Sequence, residues 1–542
     1  MLYFQLLLRL ASAVFVAWLI KFLLEGAAIR LRLGKLKNRG LPVPEPYSML
    51  FGHLLLMKQL REGLPPDAHS TYSNVRLVQD WKRYFPTAVE CPPVIYLDLW
   101  PLMSVPFIYV ISPELCSQLT QEDPQPRHPM FVWAQWPLTN GLDLLSMNKA
   151  DHKRWRSILN PGFSLKSLTT QIPVLVEEVS IFADNIKAQA GKHGTWGPVF
   201  TLYDRTASLT FDIITRISIG LCVHEQTDGP GVLFTAMKGL IACCKIASIF
   251  NKLERMTPSF KRRILSSDMA IRHIVQPQIL KNNSDSEHYK STIDLALRDL
   301  RAVDGQLDPR FLEIMIANMK LFLFAGHETT AQTLCWVLYE IHKYPHVLSQ
   351  LRTEHDNILG IDTALAKDTL IRSPQVLNEL KYTSAVIKET LRLHTPAGSL
   401  RLGNPGFVLV KDGRQYPVYD SVIQTLPAAS HIHPDLWPEA QAFMPERFLQ
   451  PQGHPSHPLK NAFRPFELGN TRCIGEELAM MEIKLALVFT IRELEFDFGC
   501  KSWNEGKAIN KDHINGEYTY RAGQGMGHIK NNLPTSVRPR VF

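Results

Sequence analysis

The residue with the most chemistry to offer in this chain is a cysteine near its end. Cys473 sits in Phe466-Glu-Leu-Gly469-Asn-Thr-Arg472-Cys473-Ile-Gly475, a turn between two glycines followed by a helical run from Glu476 to Thr490. A thiol at such a helix start faces unpaired backbone N–H groups and the positive end of the helix dipole, which lower its pKa and favour the thiolate. With no second Cys or His nearby it is not a zinc site, which takes three or four protein ligands. It suits an iron held by one axial thiolate, with Gly469 and Gly475 admitting a flat ligand close to the backbone and Phe466 packing on one face of it. It suits a buried free cysteine in a tight turn equally well. Two residue pairs, Glu389 with Arg392 and His152 with Arg156, each share a helix face. Ala325-Gly326 lies midway along a helical pattern from Phe311 to Tyr344, where glycine costs about 1 kcal/mol relative to alanine and calls for a reason.

Ala325-Gly326-His327-Glu328-Thr329-Thr330, then Glu389-Thr-Leu-Arg392, then Pro445-Glu446-Arg447-Phe448, then the cysteine turn, follow one another along the chain. In that order they resemble the cytochrome P450 family of haem-thiolate monooxygenases, over residues 40–542. The wording His152-Lys-Arg-Trp-Arg156 through Asn160-Pro-Gly-Phe163, with Lys388-Glu-Thr-Leu-Arg-Leu-His394, is similar to its membrane-bound fungal branch. The resemblance implies a mainly α fold with a small β region, preceded by a transmembrane helix. It implies haem b with Cys473 as the axial ligand to iron. Glu328 and Thr329 become the acid and hydroxyl of a proton relay, the threonine bonding back to the carbonyl four residues earlier and opening the helix locally. Gly326, with Ala325, becomes a groove for a diatomic ligand. Arg447 joins Glu389 and Arg392 in a structural triad that holds the thiolate loop. His152, Arg156 and Arg401 become contacts to the haem propionates, His152 standing where the family usually has Trp. A further departure is Thr471, which occupies the family's usual Arg or His position two residues before the cysteine. Arg472 is next to the cysteine instead, as a shifted propionate contact or a residue facing a redox partner.

The elements that position these groups belong to a long globular chain. Its 542 residues are 45% hydrophobic and 20% charged, and no Gly/Ser/Pro-rich linker divides them after residue 50. Eight cysteines without CxxC spacing indicate free thiols in a reducing compartment. A net charge of +8 without clustered basic and aromatic residues excludes nucleic acid and fits a membrane surface or an acidic protein. Leu2 to Leu24 is apolar, and as a helix it spans roughly 35 Å, enough to cross a bilayer. Arg9 and Lys21 interrupt it at positions from which each reaches towards a membrane face. The basic run Arg30, Arg32, Lys35, Lys37 and Arg39 follows, which places the body in the cytosol. Residues 1–25 are thus read as the anchor, 26–47 as a basic hinge stiffened by Leu41-Pro-Val-Pro-Glu-Pro46, and 48–542 as the haem domain. The sequon Asn282-Asn-Ser284 carries no glycan in the cytosol.

Other stretches give local expectations. Asp98 to Ile111 reads as a strand pair, and Met130 to Trp136 as an aromatic loop over the pocket or filling the core. A helix opens near His152 and stops before Pro161. Helices are expected over Thr201–Gly220 and Leu233–Ile249, the second lining the pocket or touching the membrane. Leu533-Pro-Thr535 reads as a late hairpin. No flavin or nicotinamide fingerprint is present, so the resemblance implies electrons from a separate NADPH-dependent reductase, with Lys153, Arg154, Lys460, Arg464 and Arg472 as a basic docking face. The expected activity is hydroxylation, or further oxidation, of a lipophilic small molecule with O2 at the endoplasmic reticulum membrane, a fungal polyketide or terpenoid intermediate first. A fatty-acid or alkane hydroxylase, a reductase-independent haem-thiolate isomerase or dehydratase and a haem sensor are the alternatives.

Overall fold

The computed structural model describes residues 2–245, 249–281, 290–298, 308–499, 503 and 513–541. Asn282, Ser284 and Cys500 lie outside them. The helices that frame the site are α1 (Leu2–Asn38), α2 (Pro129–Thr139), α3 (Lys149–Leu159), α4 (Leu202–Ile219), α5 (Pro258–Leu280), α6 (Pro309–Lys343), α7 (Lys381–Leu393) and α8 (Glu476–Thr490). At the centre stands α6, whose buried residues face all directions, from Phe311 and Met315 through Leu323 and Cys335 to Ile341. Asp308 caps it by accepting from the Arg310 N–H, and Pro309 occupies the first turn, where its missing donor is not needed. α4 packs along α6, and α7 and α8 close its other side.

The strands are few and short. β1 (Val94–Leu97), β2 (Phe107–Val110), β4 (Leu400–Leu402) and β7 (Val422–Thr425) form one sheet in the order β1-β2-β7-β4. All pairs are antiparallel except β2 with β7. β3 (Phe200–Thr201), β11 (Pro534–Pro539) and β8 (Leu494–Asp497) form a second sheet. β5 (Val408–Lys411) with β6 (Arg414–Pro417) and β9 (Arg521–Ala522) with β10 (His528–Ile529) are hairpins. The Asp98–Ile111 expectation is therefore shifted: the pair is β1 and β2, and Asp98–Pro106 connects them. The late hairpin also moves. Gly523, Gly525 and Gly527 all hold positive φ, so the chain reverses there, and Pro534 and Thr535 pair with β3.

Three further expectations change for local reasons. Met130–Trp136 is helical, because His128 accepts from the Met130 N–H, Pro129 starts the helix, and Asn140 ends it in the left-handed region. The helix expected to reach Ile249 spans only Val232–Ile241. The hinge is not a free joint: α1 runs unbroken to Asn38, and Ile29, Leu33, Leu36, Leu41 and Val43 are all buried against the sheet. The Pro42 carbonyl accepts from Tyr96 N at 3.0 Å, and Glu45 N donates to Tyr84 O at 2.8 Å.

Gly326 finds its reason in packing. A Cβ there would lie 2.7 Å from Ile214 Cγ1 on α4, so the glycine lets α4 pack closely against α6. Gly326→Ala gains about 1 kcal/mol of helix propensity but overpacks the contact at a cost of about 1–3 kcal/mol. Urea denaturation should show it destabilising in the natural sequence and stabilising in an Ile214→Ala background. Equal effects in both backgrounds would refute the packing account.

Candidate active site

The cysteine turn is built from the chain's own hydrogen bonds. Cys473 N–H donates to the Phe466 carbonyl at 2.8 Å, and Gly475 is the N-cap of α8. Phe466 is half-buried and packs on the main core. Gly469 has φ +81° and stands against the Thr120 carbonyl, where no side chain fits, so the turn itself requires it. At Gly475 an added Cβ would meet only Cys473 Sγ, at 3.9 Å. Cys473 is open to water-sized molecules yet ringed by protein, and burial pushes its thiol above the usual value. The Gly475 N–H, Arg156 and Arg472 pull the other way without reversing it. The expected lowering by the helix start is thus outweighed. A bound metal cation deprotonates a coordinating thiol outright.

Beside the turn lies a concentration of positive charge. Segment Pro126–His128 joins the free edge of β4: Leu402 N–H donates to Pro126 O at 2.8 Å, and Arg127 bridges Arg401. Two arginines therefore stand side by side on a sheet edge. α3 brings His152 and Arg156 to the same place, and Arg156 Nη1 donates to the Arg472 carbonyl at 2.7 Å. The buried Arg401 guanidinium donates to Thr471 Oγ1 at 2.6 Å and to Gln125 O at 3.1 Å. Among the described residues none of Arg127, Arg156 and Arg401 forms an ion pair. Burial, and then Arg401 and Arg156, hold Arg127 down to about 9. Burial, and then Arg127, Arg156 and Arg401, hold His152 down to about 4, so it is neutral at pH 7. Arg127 Nε and His152 Nε2 are buried without a hydrogen-bond partner. Arg472 turns outward, its guanidinium paired with Glu476. Sequence reasoning missed Arg127 because only strand pairing brings it to Arg401.

On α6, Thr329 Oγ1 donates to the Ala325 carbonyl at 2.7 Å. Ala325 packs half-buried on the core. Glu328 Oε2 is buried with no partner, and burial raises the carboxyl to about 7. Its charge also acts on Tyr203 of α4, which carried no signal in the sequence. One turn on, Gln332 Nε2 donates to the Gly527 carbonyl at 2.9 Å, so the β9–β10 hairpin tip rests against α6.

Glu389, Arg392 and Arg447 meet in the interior. Arg392 donates to both Glu389 oxygens, at 2.8 and 2.7 Å, and Arg447 Nε donates to Oε1 at 3.1 Å. Of the basic docking face, Lys153, Arg154 and Lys460 are exposed. Arg464 is not part of it: it is buried, paired with Glu467 and bonded to Thr120 Oγ1 at 2.8 Å.

Residues 97–507 match the family described as Cytochrome P450. The chain is 34% identical over 517 residues to cytochrome P450 monooxygenase polC of Polytolypa hystricis, covering 93% of this chain and 90% of that protein. It is 32% identical to cytochrome P450 monooxygenase acrF of Aspergillus aculeatus, covering 81% and 93%. The crystal structure of the cytochrome P450DA heme domain superposes with TM-score 0.69 at 20% identity, covering 92% of this chain and 98% of that one, which supports the fold. This chain belongs to the cytochrome P450 family of monooxygenases. The family uses haem with an axial cysteine thiolate, and the residues present fit it. The turn offers one thiol at an open glycine, and the adjoining cluster of guanidinium groups, which form no ion pair among the described residues, suits the two haem carboxylates.

Because Glu328 is raised above its unfolded value, the folded state holds its proton between about pH 4.5 and 7 while the unfolded chain releases it. Its contribution therefore lowers stability as pH rises through that window. Glu328→Gln should remove this decline. Urea midpoints at pH 5 and pH 8 check it: the variant should gain on the natural protein at the higher pH, and an unchanged gap would count against a neutral buried acid.

Proposed function

We propose that this protein is a membrane-anchored haem-thiolate monooxygenase that hydroxylates, or further oxidises, a lipophilic small molecule. Haem held by Cys473 supplies the activation of dioxygen and the insertion of one oxygen atom into the substrate. Arg127, Arg156 and Arg401, with His152 as a neutral donor, hold the haem carboxylates, and Thr471 orients Arg401. Arg472 has a carbonyl to hold Arg156 and an ion pair with Glu476 at the surface. Glu328, poised near neutrality, takes a proton from the α4 side, and Thr329 positions it at the face of α6. Glu389, Arg392 and Arg447 keep the cysteine turn in place. The observation that carries this reading is the meeting of a lone cysteine at the start of α8 with three guanidinium groups that form no ion pair among the described residues, in a chain of this family.

α1 is, among the described residues, the helix long and apolar enough to cross a membrane. With the basic run beyond it, α1 supports a single pass in the endoplasmic reticulum with residues 48–542 in the cytosol as the haem domain. There an NADPH-dependent cytochrome P450 reductase supplies electrons. The similarity to polC and acrF supports a fungal pathway intermediate, a polyketide or terpenoid, as substrate.

Comparing metabolites of the source organism with and without this gene identifies the accumulating compound. That compound is then fed to membranes holding the protein and a reductase under isotopically labelled dioxygen. One labelled oxygen in the product is the expected result; loss of two hydrogens without label means desaturation by the same site. Product formed without dioxygen or reductase would replace this reading with an isomerase. Cys473→Ser should abolish both product and the thiolate-type carbon monoxide difference spectrum. Charge reversal at Lys153, Arg154 and Lys460 should slow haem reduction by the reductase in stopped-flow measurements, while the same change at the buried Arg464 should instead unfold the turn.

A further inference from the structure

Arg521 is a guanidinium for which the site described above has no use. It lies on β9 between Tyr520 and Ala522, which are buried, while Arg521 itself is half-exposed. β9 is held on both sides: β10 pairs with it, and His69 N donates to the Arg521 carbonyl at 3.0 Å. The side chain reaches the segment after α7, where Nη1 donates to the Thr395 carbonyl at 2.9 Å and Nη2 to the Pro396 carbonyl at 2.8 Å. Three residues on, Ser399 N donates to Thr425 Oγ1 at 3.0 Å, and Thr425 Oγ1 donates to Glu467 in the cysteine turn at 3.1 Å. At no more than ~3.6 Å per residue, Pro396 and Ser399 lie within about 11 Å of each other. The β9–β10 tip meanwhile rests on α6 through Gln332, one turn past Glu328. Arg521 is thus held between α6 and the cysteine turn.

Its charge is unanswered. Among the described residues no carboxylate pairs with Arg521, and its surroundings lower it only to about 10, so it stays a cation at pH 7. Asp67, on the adjoining segment, is taken by the Tyr520 hydroxyl at 2.8 Å and by Lys530 at 2.7 Å. The two carbonyls use one hydrogen on each Nη, which leaves the other guanidinium N–H groups without an acceptor among the described residues. Beside them stands Tyr72, in the first turn of the helix Thr71–Gln79. Its hydroxyl accepts from Arg521 N at 3.0 Å, and its own hydrogen has no acceptor among the described residues. His69 does not compete, since its ring nitrogens are engaged by Thr71 Oγ1 at 2.7 Å and the Gly525 carbonyl at 3.0 Å. Nor does Arg521 belong to the haem-carboxylate cluster, because it and Arg401 do not act on one another's charge. A guanidinium and a hydroxyl with hydrogens to spare, side by side, match the oxygens of a carboxylate.

We infer that Arg521 and Tyr72 form the recognition site for a carboxylate of the substrate, so that the lipophilic molecule oxidised by this protein is an acid. The inference rests on the monooxygenase reading and adds to it the chemical class of the substrate. The carbon oxidised is then set by its distance from the carboxylate gripped at β9.

The test titrates the full-length haem protein with dodecanoic acid, abietic acid and the methyl ester of each, following the spin-state shift of the haem spectrum. At least one acid should bind about ten- to a hundredfold tighter than its ester. A preference for dodecanoic acid identifies a flexible-chain acid as the substrate type, and one for abietic acid a fused-ring acid. Arg521→Met, in protein that keeps the thiolate-type carbon monoxide spectrum, should weaken the preferred acid to the level of its ester and leave the ester unchanged. Tyr72→Phe, which keeps the guanidinium and its two carbonyl bonds, should narrow the gap between acid and ester by about a factor of ten and serves where Arg521→Met does not fold. Equal binding in both pairs, no shift with either acid, or variants that weaken acid and ester alike would overturn the site while the monooxygenase reading stands. A natural protein without the thiolate-type spectrum would overturn both.

Discussion

One buried carboxylate holds the architecture of the site together. Glu389 accepts from Arg392, Arg447 and the Met444 N–H at once, in the interior of the protein. An unpaired charge there is untenable, and removing one partner of such a group typically costs ~3–5 kcal/mol. Arg392 spends its remaining donors on the carbonyls of His431, Ala440 and Ala442, at 2.6, 2.7 and 2.9 Å. His431 in turn accepts from Arg464 N at 3.1 Å, and Arg464 pairs with Glu467 inside the cysteine turn. A helix, a long irregular segment and the turn are thereby strung on one electrostatic thread. Neither the irregular segment nor the turn has the regular backbone pairing of the helix they are tied to.

The distribution of charge around the turn has a clear logic. On one side Arg127, Arg156 and Arg401 gather without an ion pair among the described residues, and burial, with Arg401 and Arg156 behind it, lowers Arg127 to about 9. On the α6 side an acid sits without any cation and stays near its neutral form. The two carboxylates of the family's haem suit the first of these groups. Burial, and then these three arginines, keep His152 neutral, so it adds no further charge to the group.

Much of this was legible in the sequence because it is local. The helix after Cys473 runs over Glu476–Thr490 as its pattern indicates, and α6 departs from its expected span by two residues at the start and one at the end. The Thr329-to-Ala325 bond follows from helical spacing alone. What was hidden depends on partners distant along the chain. Arg127 reaches Arg401 only through strand pairing, and Tyr203 faces Glu328 only because α4 lies along α6. Arg464 looked like a surface cation until its pairing with Glu467 withdrew it. The packing of Ile29, Leu33, Leu36, Leu41 and Val43 on the body was hidden because buried aliphatic residues spaced along α1 and beyond have no local signature of what they pack against.

The contact between Gly326 and Ile214 imposes a direction on change. Ile214 can lose atoms while Gly326 stays as it is, at the ordinary cost of a cavity in the core. Gly326 gains a side chain at a cost while Ile214 is intact, and at a lower one once Ile214 has made room for it. A lineage, or an engineer, reshaping α6 therefore meets less resistance by changing α4 first. The order of the two steps is historical information stored in the seam.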